Sequence, residues 1–377
     1  MKLTINLKLL PNEEQASDLL ATLQRANAAC DYAAAVAWNE RVFGQFALHK
    51  IIYRDIKSRF GLSAQMAVRA IAKVADAYKL DRRTQRTFRP RGAISYDERI
   101  LSFKPGDNIS IWTLNGRQAI SFICGDYQRR FLPHRKGEVD LLYVHGVFYL
   151  SVVCEVAEPT ESETSDFLGI DLGIVNIATD SDGTAYSGEK VERNRRIFAH
   201  RRRNLQRKGT KAARRKLRTI KGKQSRFQKD INHCISKAIV QTAQRTCSGI
   251  ALEDLGGIRD RVTARRRQRA RLSNWSFEQL RSFVEYKARL AGVPVALVDP
   301  RNTSRTCPVC GCIDKANRRT QSRFSCVSCQ FSGLADHVAA RNISFRARAA
   351  VNQPMVSPLS RRVARAGTSS LALAASN

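Results

Sequence analysis

At 377 residues the chain is long enough for two or three domains with cores of their own. Its 65 Lys and Arg against 33 Asp and Glu leave a net charge of +32 and a pI near 10.5; such a surface repels itself unless a polyanion neutralises it, so nucleic acid is the expected partner. A membrane is disfavoured, because no apolar run approaches the roughly 20 residues of a span and MKLTINLKLL is too short and polar for a signal peptide, so a soluble, cytoplasmic, nucleoid-associated protein is expected.

In chain order, Leu3, Ile5, Leu7 and Leu9 alternate as in a half-buried strand that Pro11 ends. Asn12 with Gln15 reads as a capping box opening a helix along Leu19, Leu20, Leu23, Ala26 and Cys30. A second helix is expected over about 48–60, stopped by Gly61, and a third after Ser63 with Val68, Ile71, Val74 or Ala75, and Tyr78 on one face. From Thr87 the period becomes alternating. Asn115-Gly116 marks a hairpin between 109–114 and 118–123, and Gly146 divides 139–144 from 147–156, which suggests a small antiparallel barrel. Residues 158–165 look like a linker.

The stretch FLGIDLGIVNIATDSDG follows, and its Asp171 sits among Phe167, Leu168, Ile170 and Leu172, where an ionised carboxylate must be paired or hold a cation. Asp182-Gly183 reads as the hairpin turn that closes this strand, with Asp180 and Asp182 as turn residues. Between residues 191 and 230 there are 17 Lys and Arg against 2 acids, with Arg201, Arg202, Arg203, Arg214, Arg215 and Lys216 in runs. Interspersed Ile197, Phe198, Leu205, Leu217, Ile220 and Phe227 favour a long helix or helical pair facing phosphates. A further helix striped by Ile231, Ile235, Ala238 and Thr242 leads to SGIALEDL, a second buried strand ending in Glu253 and Asp254. Then come Gly256-Gly257 and an arginine-rich loop with Arg265, Arg266 and Arg267, poised to bring a phosphodiester to nearby acids. Ser276 with Gln279 suggests a capping box, Trp275 a staple onto Leu280, Gly292 the end of that helix, and VPVALVDP another buried strand.

Cys307, Cys310, Cys326 and Cys329 form two C-x2-C knuckles fifteen residues apart, the pattern of a tetrahedral Zn²⁺ site. Four thiolates fill that shell, so the zinc is expected to be structural; Cys312 is near enough to be an alternative ligand. The other cysteines, Cys30, Cys124, Cys154, Cys234 and Cys247, read with Cys312 as reduced, mostly buried thiols. Asp336 stands at the mouth of a short helix, where it could equally be a cap. Three acids from separate elements, Asp171, Glu253 or its neighbour Asp254, and Asp336, can converge on Mg²⁺ or Mn²⁺, which select carboxylate oxygen. The tail from Val351 reads as disordered.

The segments GIDLGIVNIA, ALEDLGGIR, WSFEQLRSFVEYKARLAGVPVALVDPRNTSRTCPVCG, FSCVSCQFSGLADHVAARNI and the opening LKLLPNEEQ resemble, in order and spacing, the TnpB (OrfB) proteins of bacterial and archaeal insertion sequences, compact relatives of the type V CRISPR effectors. The resemblance runs to about residue 350. It implies an α/β and α+β multidomain protein in which a RuvC-like nuclease domain of RNase H fold is split by a zinc ribbon, and a helical recognition domain is inserted in an amino-terminal wedge β-barrel. The implied segments are 1–10 (first barrel strand), 11–85 (helical), 86–160 (barrel), 161–302 and 333–350 (nuclease), 303–332 (ribbon) and 351–377 (tail). The family's nuclease acids map onto Asp171, Glu253 and Asp336, which selects Glu253 over Asp254. One departure is visible: many members read Asp-x-Asn-Ala-Ala where this chain has Val338 in place of the Asn.

The implied activity is RNA-guided DNA cleavage by two-metal hydrolysis, with a guide RNA from the transposon end and target DNA as partners. The rival readings are an RNA-guided DNA binder without cleavage, acting as a repressor or transposition accessory, a strand transferase using the same acids, and a zinc-ribbon RNA-binding protein.

Overall fold

The computed structural model describes residues 1–255 and 277–352, and the chain divides into two units, Met1–Ala157 and Glu158–Asn377. The arginine loop with Arg265, Arg266 and Arg267, the Ser276 cap, the Trp275 staple and the tail beyond residue 352 lie outside the described residues. Among the described residues no helix is long and apolar enough to cross a membrane.

In the first unit, strand β1 (Lys2–Leu9) buries every second residue, as its alternation predicts. It pairs antiparallel with β7 (Val147–Glu155) and β5 (Gly116–Ile123) at the centre of a seven-stranded sheet. With β2 (Ile94–Tyr96), β3 (Leu101–Lys104), β4 (Asn108–Thr113) and β6 (Arg135–Val144) the order is β2-β6-β7-β1-β5-β4-β3. The sheet is nearly closed rather than a complete barrel. Trp112 N donates to Ile100 O at 2.8 Å and the Tyr96 hydroxyl to Trp112 O at 3.2 Å, drawing β2 towards β4. Gly116 and Gly146 turn with φ of 103° and 86°, the conformation that glycine adopts without strain.

Three helices stand in the chain between β1 and β2. In α1 (Glu13–Asn39) the Asn12–Gln15 capping box is present, and buried Asp18 accepts from Asn115 Nδ2 at 2.6 Å and Gln118 Nε2 at 3.1 Å, tying the helix to the β4–β5 turn. Helix α2 (Gln45–Phe60) begins three residues before the expected start and ends at left-handed Gly61. Helix α3 (Ala64–Leu80) follows the Ser63 cap and buries the expected Ile71, Val74, Ala75 and Tyr78 together with Met66, Ala67 and Ala70, leaving Val68 half-buried. A short α4 (Asp126–Phe131) follows β5.

The second unit is built on a five-stranded sheet of order β10-β9-β8-β11-β12. Here β8 (Phe167–Asp171), β9 (Asn176–Asp180) and β10 (Ala185–Ser187) form an antiparallel meander, and β11 (Gly249–Glu253) and β12 (Val295–Val298) add in parallel. The expected hairpin is displaced by one strand. The chain already reverses after Asp171, and the Asp182-Gly183 turn joins β9 to β10, with Asp180 Oδ1 accepting from Asp182 N and Thr184 N. Helices α5 (Glu189–Lys208) and α6 (Lys211–Arg245) carry the basic segment. The expected separate helix near Ile231 is the carboxyl-terminal part of α6, and its buried stripe is Ile235, Ile239, Val240 and Ala243, rotated from the predicted one because β8 and β11 present Leu168, Ile170 and Leu252 there.

Helix α7 (Phe277–Ala291) packs on the same side through Leu280 and Val284 and stops at Gly292. The opposite face is covered by α8 (Ala335–Val351), which is 17 residues rather than short and continues through Val351, where disorder was expected. Its backbone runs directly over Gly169. A methyl group there would collide with the Ala340 carbonyl oxygen and lie 2.5 Å from Ser344 N. Gly169→Ala is therefore expected to destabilise the second unit by about 1–3 kcal/mol or more, read as a lower denaturant midpoint; an unchanged midpoint would show that α8 can lift away freely.

Candidate carboxylate site and cysteine cluster

Asp171 and Glu253 end neighbouring parallel strands. The register Leu252↔Ile170 sets them side by side at the carboxyl edge of the sheet, the edge where open α/β sheets bind ligands. Glu253 is buried and accepts from Thr303 Oγ1 at 2.5 Å, and Thr303 is itself held by Asn342 Nδ2 donating to its carbonyl at 2.7 Å. Asp254 points elsewhere and pairs with Arg281 at 2.9 Å, so Glu253 is the inward acid of the two.

Asp336 lies in the first turn of α8 but does not cap it, because the helix begins one residue earlier, after Leu334. Its carboxylate instead accepts from Asn176 Nδ2 at 3.1 Å and from Arg318 Nη2 at 3.4 Å. A register shift in β9 against β10, at Tyr186/Ser187, displaces Asn176 from regular alternation. Val338, at the position where the family often has Asn, is buried with Cys307, Phe324, Cys326 and Ala335 and makes a packing contact only.

The three acids share one electrostatic neighbourhood. Burial, then the Glu253 and Asp336 charges, push Asp171 up to about 8, against a smaller opposing pull from Arg318. Glu253 is also raised, chiefly by burial. Their oxygens do not all lie within 4.8 Å of one another; among the described residues only the four cysteines reach that spacing. The donor chemistry fits a hard divalent cation, but one ion held by all three needs side-chain rotation from these positions.

The linkage has a sign. A carboxyl group whose folded pKa is raised contributes stability that is present below about 4 and lost as pH rises through about 8. In buffer stripped of free divalent ions the thermal midpoint is therefore expected to fall across that window, by at most about 1.4 kcal/mol per pH unit for one proton. Asp171→Asn should flatten the slope; an equal slope in the variant would remove Asp171 as its source.

The four thiols close tightly. Cys307 Sγ lies 3.5 Å from Cys329 Sγ, and Cys310 Sγ 3.6 Å from Cys326 Sγ, close to the roughly 3.8 Å edge of a tetrahedron with 2.3 Å metal–sulfur bonds and far beyond a disulfide bond. Backbone N–H groups of Cys329 and Ser328 reach Cys326 Sγ at 3.4 Å and lower its pKa. All ten cysteines are free, but of the six outside this cluster only Cys30 and Cys154 are buried, a correction to the expectation that most would be. Cys312 packs against the tetrad's Cys307 and Cys326 but is not among its four members.

Arg201, Arg203, Arg214, Arg215 and Lys216 are exposed on α5 and α6, whereas Arg202 is partly covered and bonded to Gln224. Sequence reasoning missed Thr303, Asn176 and Arg318. The first two stand within the segments already singled out, in NTSRTCPVC and GIVNIA. Arg318 belongs to a loop between the knuckles, and only the fold brings it to Asp336.

A basic chain with acids at a sheet edge and four thiols spaced to hold a metal ion has the features expected of a metal-dependent protein acting on nucleic acid. Residues 151–256 match the family described as "Probable transposase", and residues 277–343 the "Cas12f1-like, TNB domain". A TnpB-like protein of Methanocaldococcus jannaschii is 30% identical over 255 residues, covering 63% of this chain and 90% of that protein. The CRISPR-associated endodeoxyribonuclease Cas12f1 of Sulfoacidibacillus thermotolerans is 32% identical over 215 residues, and the "Putative RNA-guided DNA endonuclease InsQ" of Escherichia coli 27% over 219. The matches span only 50% and 53% of those two proteins. The chain belongs to the TnpB (OrfB) family.

Proposed function

We propose that the protein is an RNA-guided DNA endonuclease that hydrolyses phosphodiesters at Asp171, Glu253 and Asp336. The observation that carries this reading is that Asp171 lies beside Glu253 in the strand register and near enough to both Glu253 and Asp336, acids from two further elements, for their charges to raise it. The sheet order, an antiparallel meander extended by two parallel strands with helices on both faces, supports an RNase H-like (RuvC) domain. Relatives named as endodeoxyribonuclease and as RNA-guided support the reaction and the guide.

Mg²⁺ or Mn²⁺, when bound, would supply the Lewis-acid chemistry of a two-metal hydrolysis. The chain's own residues set its geometry: Thr303 fixes the Glu253 rotamer, and Asn176 and Arg318 fix Asp336 and balance its charge. The cysteine tetrad would hold a structural Zn²⁺, since four thiolates leave no open position. The basic faces of α5 and α6, with Arg265, Arg266 and Arg267, would contact the guide RNA and target DNA backbones. The domain division stated for the sequence, a helical recognition part inserted in the wedge and a nuclease part split by the ribbon, belongs to this proposal.

The test is to purify the protein with its bound RNA, sequence that RNA, and incubate the complex with a plasmid matching its 3′ end in Mg²⁺. Guide-directed cutting supports the proposal. Binding without cutting would favour a repressor or transposition accessory, joined products a strand transferase, and RNA binding without any DNA engagement a ribbon RNA-binding protein.

A further inference from the structure

Thr179 lies directly opposite Asp171 in the β8–β9 ladder. Residues paired in this way project from the same sheet face with Cβ atoms about 4.5–5.5 Å apart. Thr179 is 4% exposed, and its Oγ1 is buried without a hydrogen-bond partner among the described residues. A buried hydroxyl with no protein partner is uncommon in native interiors and calls for an explanation. Its neighbour Ser181 Oγ accepts from Gly169 N at 3.2 Å, and Asp180 Oδ1 accepts two turn amides while Asp180 Oδ2 is buried without a partner among the described residues; Asp180 pairs with Ile170 in the ladder and so projects from the opposite face to Asp171 and Thr179.

The three acids differ in a matching way. Glu253 has Thr303 as a donor, and Asp336 has Asn176 and Arg318. For Asp171 no described residue supplies a hydrogen bond, although it carries the most perturbed carboxyl group of the three. An acid without a donor thus faces a donor without an acceptor. We propose that Thr179 is the positioning residue of Asp171. Its hydroxyl donates to one carboxylate oxygen once the ionised side chain turns to hold a divalent cation, and leaves the other oxygen for the ion. This inference rests on the nuclease reading for its purpose, but its test does not depend on cleavage.

The experiment compares wild type, Thr179→Val, which keeps the shape and loses the hydroxyl, and Thr179→Ser, which keeps the hydroxyl. Mn²⁺ binding to the RNA-bound protein without DNA is followed by electron paramagnetic resonance, with Asp171→Ala defining the signal from this site. Partners that orient metal-binding groups change metal affinity by about 10–100-fold. Thr179→Val is expected to weaken Mn²⁺ binding by about tenfold and to raise the Mg²⁺ concentration for half-maximal cutting by a similar factor, with little change in the rate at saturation. Thr179→Ser should restore both. The ion-free melting midpoint of Thr179→Val should equal or exceed that of wild type, because an unsatisfied hydroxyl has been removed, whereas a purely structural role predicts a drop. Wild-type Mn²⁺ affinity in Thr179→Val, or no Mn²⁺ signal that depends on Asp171, overturns the assignment. If wild type binds Mn²⁺ but never cuts, the nuclease reading fails while Thr179 is still judged by the binding data.

Discussion

Asp171→Ala is expected to abolish divalent-dependent DNA cutting, by about 10³-fold or more, while RNA and target binding persist. Catalytic groups that act as a unit lose most of their effect when one member is removed, and Asp171 stands between the other two acids in charge terms: both raise its pKa. The variant should also melt no lower than wild type in ion-free buffer at neutral pH, since it removes a carboxyl group whose ionisation is opposed in the folded state by burial and by two acidic neighbours. That combination, dead but stable, separates a catalytic acid from a fold-supporting one. Cutting equal to wild type would remove Asp171 from the mechanism.

Stripping the metal from the cysteine tetrad, or replacing Cys326 by Ser, should be nearly as damaging for a different reason. Cys307 and Cys326 form a small core with Phe324, Ala335 and Val338, and the last two belong to the start of α8, next to Asp336. The segment between the two cysteine pairs also carries Arg318. Structural zinc binding is coupled to folding with apparent energies of about 10–16 kcal/mol in isolated zinc-binding peptides, far more than five buried side chains can replace. The expected result is one equivalent of zinc in the native protein, and after chelation new protease cleavage within residues 303–334 together with loss of cutting that added Mg²⁺ does not restore. A zinc content near zero with residues 303–334 resistant to protease would sink the assignment.

Much of this was legible in local sequence because the signals are local. The Asn12–Gln15 box, the Asn115-Gly116 turn, Gly61 and Gly292 each fix backbone geometry within a few residues, and all appear where expected. The paired cysteines are likewise a spacing rule that a fold can hardly disobey. What failed depends on distant partners. Periodicity alone could not phase the buried stripe of α6, since Leu168, Ile170 and Leu252 decide which side is covered. Nor could it see that the chain turns back immediately after Asp171, because Leu172 to Val175 lacks the usual two-residue turn signature. Asp171 and the Glu253-Asp254 pair were legible as carboxylates at the ends of apolar strands and Asp336 as an acid at a helix start, but the residues that orient the acids, Thr303, Asn176 and Arg318, are ordinary in composition and acquire meaning only through contact.

Helix α6 has a consequence of its own. It is 35 residues without a break, and it carries Arg214, Arg215 and Lys216 near one end and the sheet-covering Ile235 to Ala243 stripe near the other. The angular phase between these two surfaces is set purely by residue count. One residue inserted between Ile220 and Ile235 would swing the cationic surface by about 100°, whereas seven would return it to within about 20°. Over evolutionary time such a rod can change length without re-aiming its charge only in near-heptad steps.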